Sequence, residues 1–227
     1  MEYAEIARAE TDRGELVLRE RRQEGGPATL ELRANGVFVM DTLETSTEVA
    51  LAESALALVE EPRHVVVGGL GLGFTMHAVL ADSRVEKCAV VEIEQALVDW
   101  MRDGTIPHGP AMLADERVSI VVADVAVALA EAAPASYDLL LLDVDNGPGY
   151  LVHDVNAALY EEPFLESARR ALRPGGVLAV WSAADAPELT DRMRTVFGNA
   201  DAQAHDVVLQ DREEQYWLLV ARVTSQA

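Results

Sequence analysis

Five short runs of apolar residues constrain the fold of this chain more than any other feature of its sequence. None of them alternates polar with apolar residues, which is typical of strands covered on both faces of a sheet. Each is followed along the chain by a helical pattern, and repeated strand–helix units form parallel sheets flanked by helices. The runs are 64–69, 88–93, 118–124, 137–143 and 176–182, and the predicted helices are 74–82, 94–103, 125–132, 160–172 and 186–197.

The two ends of the chain predict antiparallel β structure. The runs 206–210 and 215–222 are separated by a gap too short for a helix, so they must pair antiparallel. Residues 14–41 alternate apolar and polar, with a hairpin turn favoured at Asn35-Gly36, and an amphipathic helix is predicted over 46–60. We therefore predict an α/β fold: a Rossmann-like sheet of the class I methyltransferase type, with five parallel strands, a C-terminal antiparallel hairpin and a small N-terminal β segment.

The acidity of the chain excludes one class of partner and favours another. Its 39 acidic and 18 basic residues give a net charge of −21, which repels nucleic-acid phosphates and attracts small cations. No apolar run reaches the roughly 18 residues of a membrane span, and the polar start lacks the pattern of a secretory signal. We therefore expect a cytoplasmic protein that binds neither nucleic acid nor membrane. The histidines and Cys88 show no metal-ligand spacing, so no metal is expected.

The carboxyl ends of the predicted strands carry glycines and acids, and this is the edge at which doubly wound sheets bind ligands. The first run ends in the loop GGLGLG, and the second ends in Glu92, 19 residues after Gly73. That offset suits a carboxylate that binds both ribose hydroxyls. Asp124 and Asp143 end the third and fourth runs. The predicted nucleoside-binding residues are Gly68, Gly69, Gly71, Gly73, Glu92 and Asp124.

Each of these signals has a simpler interpretation when it is taken alone. The glycines are compatible with turn chemistry, and Asp124 is compatible with a helix cap before VAVALAEA. A dinucleotide is a poorer fit than an S-adenosyl donor, because its pyrophosphate site prefers G-x-G-x-x-G and such enzymes need a further domain.

We divide the chain into an N-terminal β-hairpin segment, 1–45, and a donor-binding catalytic domain, 46–227.

Several segments of the chain resemble the spermidine synthase (polyamine aminopropyltransferase) family. They lie within residues 14–222 and include HVVVGGLGLG, VVEIE, VVAD and YDLLLLDVDNGP, followed by ARRALRPGGVLAV. The resemblance implies that Glu92 binds the donor ribose and that Asp124 contacts the adenine amine. It also implies that Asp143 accepts a proton from the attacking amine or orients it.

Two departures from the family pattern bear on the substrates. The family's glycine loop usually holds the aminopropyl amine of the donor with an aspartate, and Gly71 lies about where that residue would be. The family's polyamine-binding tyrosine is absent from the stretch ETSTEVALAE, which offers Glu44, Thr47 and Glu48 instead. Without the loop acid, backbone N–H groups near Phe74 can receive a carboxylate. The predicted co-substrate is therefore S-adenosylmethionine or decarboxylated S-adenosylmethionine.

The predicted catalytic residues are Asp143, Asp145 and Asn146, of which Asp143 takes the proton and the other two orient the acceptor. The alternative is that 145–148 form only a turn. The predicted protein is a transferase that moves an aminopropyl group to a small cationic amine, such as a polyamine. Two alternatives stay open: a methyltransferase with a non-polyamine substrate, and a non-catalytic nucleoside-binding relative.

The N-terminal β segment is too small to be stable by itself and must pack on another surface. We hypothesise that it forms a homodimer interface. The alternative is that it covers the active site of its own chain.

Overall fold

The computed structural model describes residues 2–23, 25–145, 147–149, 151, 153–209 and 212–224. Within these residues the strands form two sheets, one N-terminal and one central. The strands are β1 (Glu2–Thr11), β2 (Gly14–Arg22), β3 (Ala28–Ala34), β4 (Val37–Asp41), β5 (His64–Gly68), β6 (Lys87–Glu92), β7 (Val118–Val122), β8 (Tyr137–Leu142), β9 (Leu172–Ser182), β10 (Asp201–Leu209) and β11 (Arg212–Arg222).

Helices connect the strands of the central sheet and cover both of its faces. They are α1 (Ser46–Leu56), α2 (Phe74–Ala81), α3 (Gln95–Asp103), α4 (Gly109–Leu113), α5 (Val125–Glu131), α6 (Glu162–Ala171) and α7 (Pro187–Phe197), with a 3-10 helix at Asp154–Tyr160. The short α4 and the 3-10 helix are additions to the predicted elements. In the part of the chain that the structure describes, no helix is long and apolar enough to cross a membrane.

The central sheet has the strand order β10-β11-β9-β8-β5-β6-β7. The five strands from β9 to β7 are parallel, whereas β11 pairs antiparallel with both β9 and β10. This arrangement confirms the predicted Rossmann-like fold with a C-terminal antiparallel hairpin. The central position of β8 explains its continuous apolar sequence, because all of its leucines, 139–142, are fully buried.

The N-terminal β segment is a four-stranded antiparallel sheet with the order β1-β2-β3-β4, rather than a hairpin. Its Asn35-Gly36 turn forms as predicted, with both residues at positive φ, 51° and 76°. The added strand β1 lies at the edge of the sheet, and a register shift between Glu5 and Ala7 interrupts its alternation. These two features, together with its four charged side chains, explain why its sequence has no clear strand pattern.

Both sheets contribute to one apolar core. Leu18 and Leu32 of the N-terminal sheet belong to the same buried cluster as Leu51 of α1 and Val67 of β5. A second cluster lies on the other face of the central sheet, between β8, β9, α6 and α7. The N-terminal sheet therefore packs close to the carboxyl ends of the parallel strands, where the predicted site lies. Dimerisation through this sheet stays a prediction.

Candidate active site

A cavity of about 420 Å³ lies at the carboxyl ends of the parallel strands. Residues 69–71 of the glycine loop and the ends of β6 and β8 form one wall. Strands β2, β3 and β4 of the N-terminal sheet form another, and α1 and β11 close the remaining side. Two distant parts of the chain therefore join the predicted site: the N-terminal sheet and the C-terminal hairpin.

The glycine loop has the backbone that its sequence requires. Gly69 has φ of 98°, and a side chain there would place Cβ 2.2 Å from the carbonyl oxygen of Asp143. This close approach holds the loop against the residue that ends β8. Gly69 and Gly71 line the cavity, whereas Gly68 ends β5 and Gly73 caps α2 with φ of 88°.

Gly71 lies beneath the N-terminal sheet. Its φ is 50°, and a Cβ atom at this position would lie 2.6 Å from Sδ of Met40. The backbone N–H of Leu72 also donates to that sulfur, at 3.2 Å. Met40 of β4 therefore occupies the space beside the loop, where a larger residue in place of Gly71 would have to displace it.

Glu92 ends β6 and is buried, with 7% of its surface exposed. The backbone N–H of Leu70 donates to Oε2 and that of Glu94 to Oε1, each at 2.8 Å. Burial raises the pKa of Glu92, and these hydrogen bonds oppose that shift. The carboxylate is thus tied to the glycine loop and aimed into the cavity by backbone amides.

Glu94 and Arg13 form a contact that the sequence did not suggest. Arg13 lies in the turn between β1 and β2, and its Nε is 3.0 Å from Oε1 of Glu94. The side chain of Asn35 accepts from the N–H of Glu15 and donates to the carbonyl of Arg13, so the two hairpin turns brace each other. The N-terminal sheet is therefore fastened to the residues that follow β6.

Asp124 lies at the rim of the cavity and caps a helix. Its Oδ1 accepts from the N–H of Ala126, at 2.7 Å, in the first turn of α5. The helix-cap interpretation is therefore correct. Asp124 also lines the cavity together with Glu92, so capping does not remove it from the site.

Asp143 follows β8 and is partly buried in the cavity wall. The hydroxyl of Thr75 donates to its Oδ2 at 2.5 Å, and its backbone N–H donates to the carbonyl of Gly68 at 2.9 Å. Burial raises the pKa of Asp143, while the hydrogen bond from Thr75 lowers it. This carboxylate has the placement of a proton acceptor beside the glycine loop.

The residues after Asp143 form a turn that also borders the cavity. Asp145 has φ of 56° and accepts from Nδ2 of Asn156 at 2.7 Å. The hydroxyl of Tyr160 donates to the carbonyl of Val144 at 2.9 Å and fixes the segment between them. Asn146, the third predicted catalytic residue, lies outside the described residues. Asp145 therefore belongs to a turn and also lines the cavity, and its role in orienting the acceptor stays a prediction.

Four further side chains of the cavity were not among the predicted site residues. Glu48 lies in the first turn of α1, and burial together with the charge of Asp143 raises its pKa to about 7. Tyr216 of β11 stacks on Trp181 with ring centroids 5.6 Å apart, and Glu214 lies beside them in the cavity wall. The acidic stretch 44–48 can be seen directly in the sequence. No sequence pattern indicates that β11 lies at the same site.

The cavity is strongly acidic, and this determines what it can attract. Its basic side chains are Arg13 and His153, and Arg13 already pairs with Glu94. No cluster of three or more potential ligands for a metal ion occurs among the described residues. A small organic cation is the ligand class that such a wall favours. The acidic residues of the cavity are Asp41, Glu44, Glu48, Glu92, Glu94, Asp124, Asp143, Asp145 and Glu214.

Comparison with known families agrees with this architecture. Residues 44–210 match the family described as Spermine/spermidine synthase domain. Because the match covers most of the chain, the protein belongs to this family.

Individual relatives match over shorter stretches. Putrescine N-methyltransferase 3 of Nicotiana tabacum is 34% identical over 125 residues, which are 54% of this chain and 31% of that protein. Polyamine aminopropyltransferase 2 of Pseudomonas aeruginosa is 33% identical over 134 residues, which are 57% of this chain and 36% of that protein. The chain therefore spans about a third of the length of these curated relatives.

A solved structure matches nearly the whole chain in its fold. The crystal structure of spermidine synthase from Thermotoga maritima superposes with a TM-score of 0.80 at 19% sequence identity. The match covers 96% of this chain and 72% of that one. The superposed region extends into the N-terminal sheet, which precedes the family match that begins at residue 44.

Proposed function

We propose that this protein transfers an aminopropyl group from decarboxylated S-adenosylmethionine to a small cationic amine of the polyamine class. The observation that carries the proposal is the position of Asp143, a partly buried carboxylate beside the glycine loop in a cavity rich in acids. Membership of the spermine/spermidine synthase family supports it. So do the curated relatives, which are named for putrescine and polyamine transferases.

The donor would bind along the glycine loop and the end of β6. Glu92 would accept hydrogen bonds from the ribose hydroxyls with the lone pairs that its two backbone bonds leave free. Asp124 would receive the adenine amine, because its cap bond uses Oδ1 and it lies at the cavity rim. The sulfonium would then lie near Gly69 and Asp143.

The acceptor would react as a neutral amine after Asp143 has taken a proton from its ammonium group. The nitrogen attacks the carbon attached to the sulfonium, so an N–C bond forms while the C–S bond breaks. The electron pair of the broken bond stays on sulfur, which becomes a neutral thioether, and the new secondary amine carries the positive charge. Holding the two reactants in line contributes most of the rate, since proximity and orientation can lower a barrier by roughly 7–11 kcal/mol.

Methyl transfer from S-adenosylmethionine is the second candidate, and Gly71 is the observation that favours it. No acid stands in the loop GGLGLG to repel the donor's carboxylate or to hold an aminopropyl ammonium, and Met40 lies against the loop instead. The N-terminus of α2 offers backbone N–H groups to an anion. The relative from Nicotiana tabacum is named for methyl transfer to putrescine.

A single assay separates the two candidates. The protein is incubated with putrescine and either decarboxylated S-adenosylmethionine or S-adenosylmethionine, and mass spectrometry identifies the amine product. We expect an aminopropylated amine with the decarboxylated donor and no product with the other. A methylated amine would establish the second candidate. If neither donor gives a product but one raises the melting temperature, the protein binds nucleosides without this chemistry.

A further inference from the structure

Glu48 is a carboxylate of the cavity that forms no ion pair with any basic side chain in the described part of the chain. It lies in the first turn of α1, and its Oε2 accepts from the hydroxyl of Thr47 at 2.6 Å. Its pKa is raised by burial first, then by the charges of Asp143 and Glu44, while hydrogen bonds with Thr47 and with its own amide lower it. The acid is thus held in place by two neutral donors, a hydroxyl and a backbone N–H.

The groups that face Glu48 come from three other parts of the cavity wall. Asp143 approaches from the end of β8, and Glu44 from the loop before α1. Tyr216 approaches from β11. Burial raises the pKa of its phenol, and the charges of Glu48 and Glu214 raise it further. These neighbours are acids or a phenol, so every charge that they carry is negative.

We propose that Glu48 is a specificity-determining residue that, together with Asp143, binds the acceptor as a cation. The inference rests on the proposed function, since it concerns the acceptor side of the same site. Glu48 lies in the stretch that corresponds to the family's polyamine-binding tyrosine, and no role was predicted for Glu48 itself. An ammonium group between two carboxylates would be held by charge-assisted hydrogen bonds, which are among the stronger polar contacts in proteins.

The contrast with other cavity acids makes Glu48 the best candidate for this role. Glu92 is satisfied by two backbone N–H groups, Glu94 by Arg13, and Asp41 by Arg21 at 3.0 Å. Glu48 has the hydroxyl of Thr47 and its own backbone N–H to stabilise its charge, and no ion pair with it occurs among the described residues. A buried charge without a counter-ion is costly, and a cationic ligand would remove that cost.

The proposal predicts how the acceptor's affinity depends on pH. Glu48 must be ionised to bind an ammonium group, and its pKa is about 7 in the free protein. The affinity for a diamine should therefore increase as the pH rises from 6 to 8, over a range in which the diamine itself stays protonated. A neutral analogue with hydroxyl groups in place of the amines should show no such dependence.

The test compares Glu48→Gln with a matched control, Glu53→Gln. Glu53 lies on the same helix but is exposed and outside the cavity. Calorimetry measures the binding of putrescine to each protein saturated with methylthioadenosine, so no turnover is required. We expect E48Q to bind putrescine at least roughly tenfold more weakly, as for loss of a charge-assisted contact, and to lose the pH dependence. E53Q should match the unmodified protein, and Glu48→Asp should restore part of the affinity.

Two results would overturn the proposal, and they differ in what they say about function. If E48Q binds putrescine as tightly as the unmodified protein, and that protein aminopropylates putrescine, the role of Glu48 is wrong and the proposed function stands. If the unmodified protein binds no diamine, both the role and the polyamine acceptor are wrong. Thermal unfolding of each variant shows that it is folded, and binding of methylthioadenosine shows that the donor side is intact.

Discussion

The cavity has a proposed donor half around Glu92 and a proposed acceptor half around Asp143 and Glu48. Both halves are acidic, but they stabilise their carboxylates in different ways. In the donor half, backbone N–H groups of Leu70 and Glu94 bind both oxygens of Glu92. In the acceptor half, Asp143 accepts from the hydroxyl of Thr75, and Glu48 accepts from the hydroxyl of Thr47 and from its own amide. The donor half therefore has a carboxylate preorganised by the fold, whereas the acceptor half has two that a bound cation would stabilise further.

This difference follows from where the residues lie along the chain. Glu92 ends a parallel strand next to the glycine loop, so the loop backbone reaches it directly. Asp143 also ends a strand, but Glu48 belongs to α1 and Tyr216 to the C-terminal hairpin. A site assembled from separate elements is held by side chains, and its affinity for ligands is correspondingly easier to change by single substitutions.

Substitution Asp143→Asn should have the largest effect on the acceptor half. The amide oxygen can still accept from Thr75, so the local structure should be kept, but the proton acceptor is lost. We expect turnover to fall about 10²-fold to 10⁴-fold, which is the usual contribution of a positioned base. The measurement is the rate of amine alkylation at saturating donor and acceptor, together with the melting-temperature shift caused by methylthioadenosine.

Retained nucleoside binding is the control that separates lost chemistry from lost folding. Turnover within a factor of about three of the unmodified protein would show that Asp143 does not act as a base, because a positioned base contributes far more. Loss of nucleoside binding together with turnover would place Asp143 in the donor half and remove the contrast between the two halves.

Substitution Glu92→Gln should weaken ligand binding in the donor half and leave the acceptor half unchanged. One oxygen would become an NH₂ group facing a backbone N–H of Leu70 or Glu94, so a buried donor would lose its partner. Such a loss costs about 1–3 kcal/mol. We expect methylthioadenosine to bind roughly 10-fold to 100-fold more weakly, as measured by calorimetry. Putrescine affinity should change little.

The matched control for this substitution is Glu86→Gln. Glu86 is exposed and precedes β6, so it lies at the opposite end of the strand from Glu92. Equal nucleoside affinity in E92Q and the unmodified protein would rule out Glu92 as a ribose ligand.

The parallel sheet and the donor half were predictable because their signals are local. A buried strand has a continuous apolar sequence, and the residue after it lies at the ligand-binding edge whatever the rest of the chain does. The positions of Glu92, Asp124 and Asp143 follow from this rule. The roles of these residues, and that of Asn146, stay predictions.

The rest of the cavity wall could not be predicted, since it depends on contacts between distant segments. Tyr216 and Trp181 stack because β11 pairs with β9, and sequence patterns do not show which side of the sheet edge their rings will reach. Arg13 meets Glu94 only after the N-terminal sheet has packed over the cavity. The edge strand β1 was missed because a bulge and its charged side chains mask the alternation that identifies a strand.

The smallest expected effect is a change in stability with pH, and it follows from the raised pKa of Glu48. This carboxyl has an ordinary value of 4.5 and a value of about 7 in the folded protein. Between these pH values the folded state holds the proton more tightly than the unfolded state. Glu48 therefore lowers stability progressively as the pH rises through this window, and its full cost is present above pH 7.

Substitution Glu48→Gln removes that cost, so the variant should melt at a higher temperature than the unmodified protein at pH 8. Each pKa unit corresponds to about 1.4 kcal/mol, which sets an upper bound of about 3 kcal/mol, or a rise of several degrees for a chain of this length. Near pH 5 most of the difference should vanish, because Glu48 is then protonated in the folded state. Calorimetric scans of E48Q and E53Q at both pH values provide the comparison. A lower melting temperature for E48Q at pH 8 would mean that the ionised Glu48 is stabilised within the free protein, and the acceptor half would then resemble the donor half.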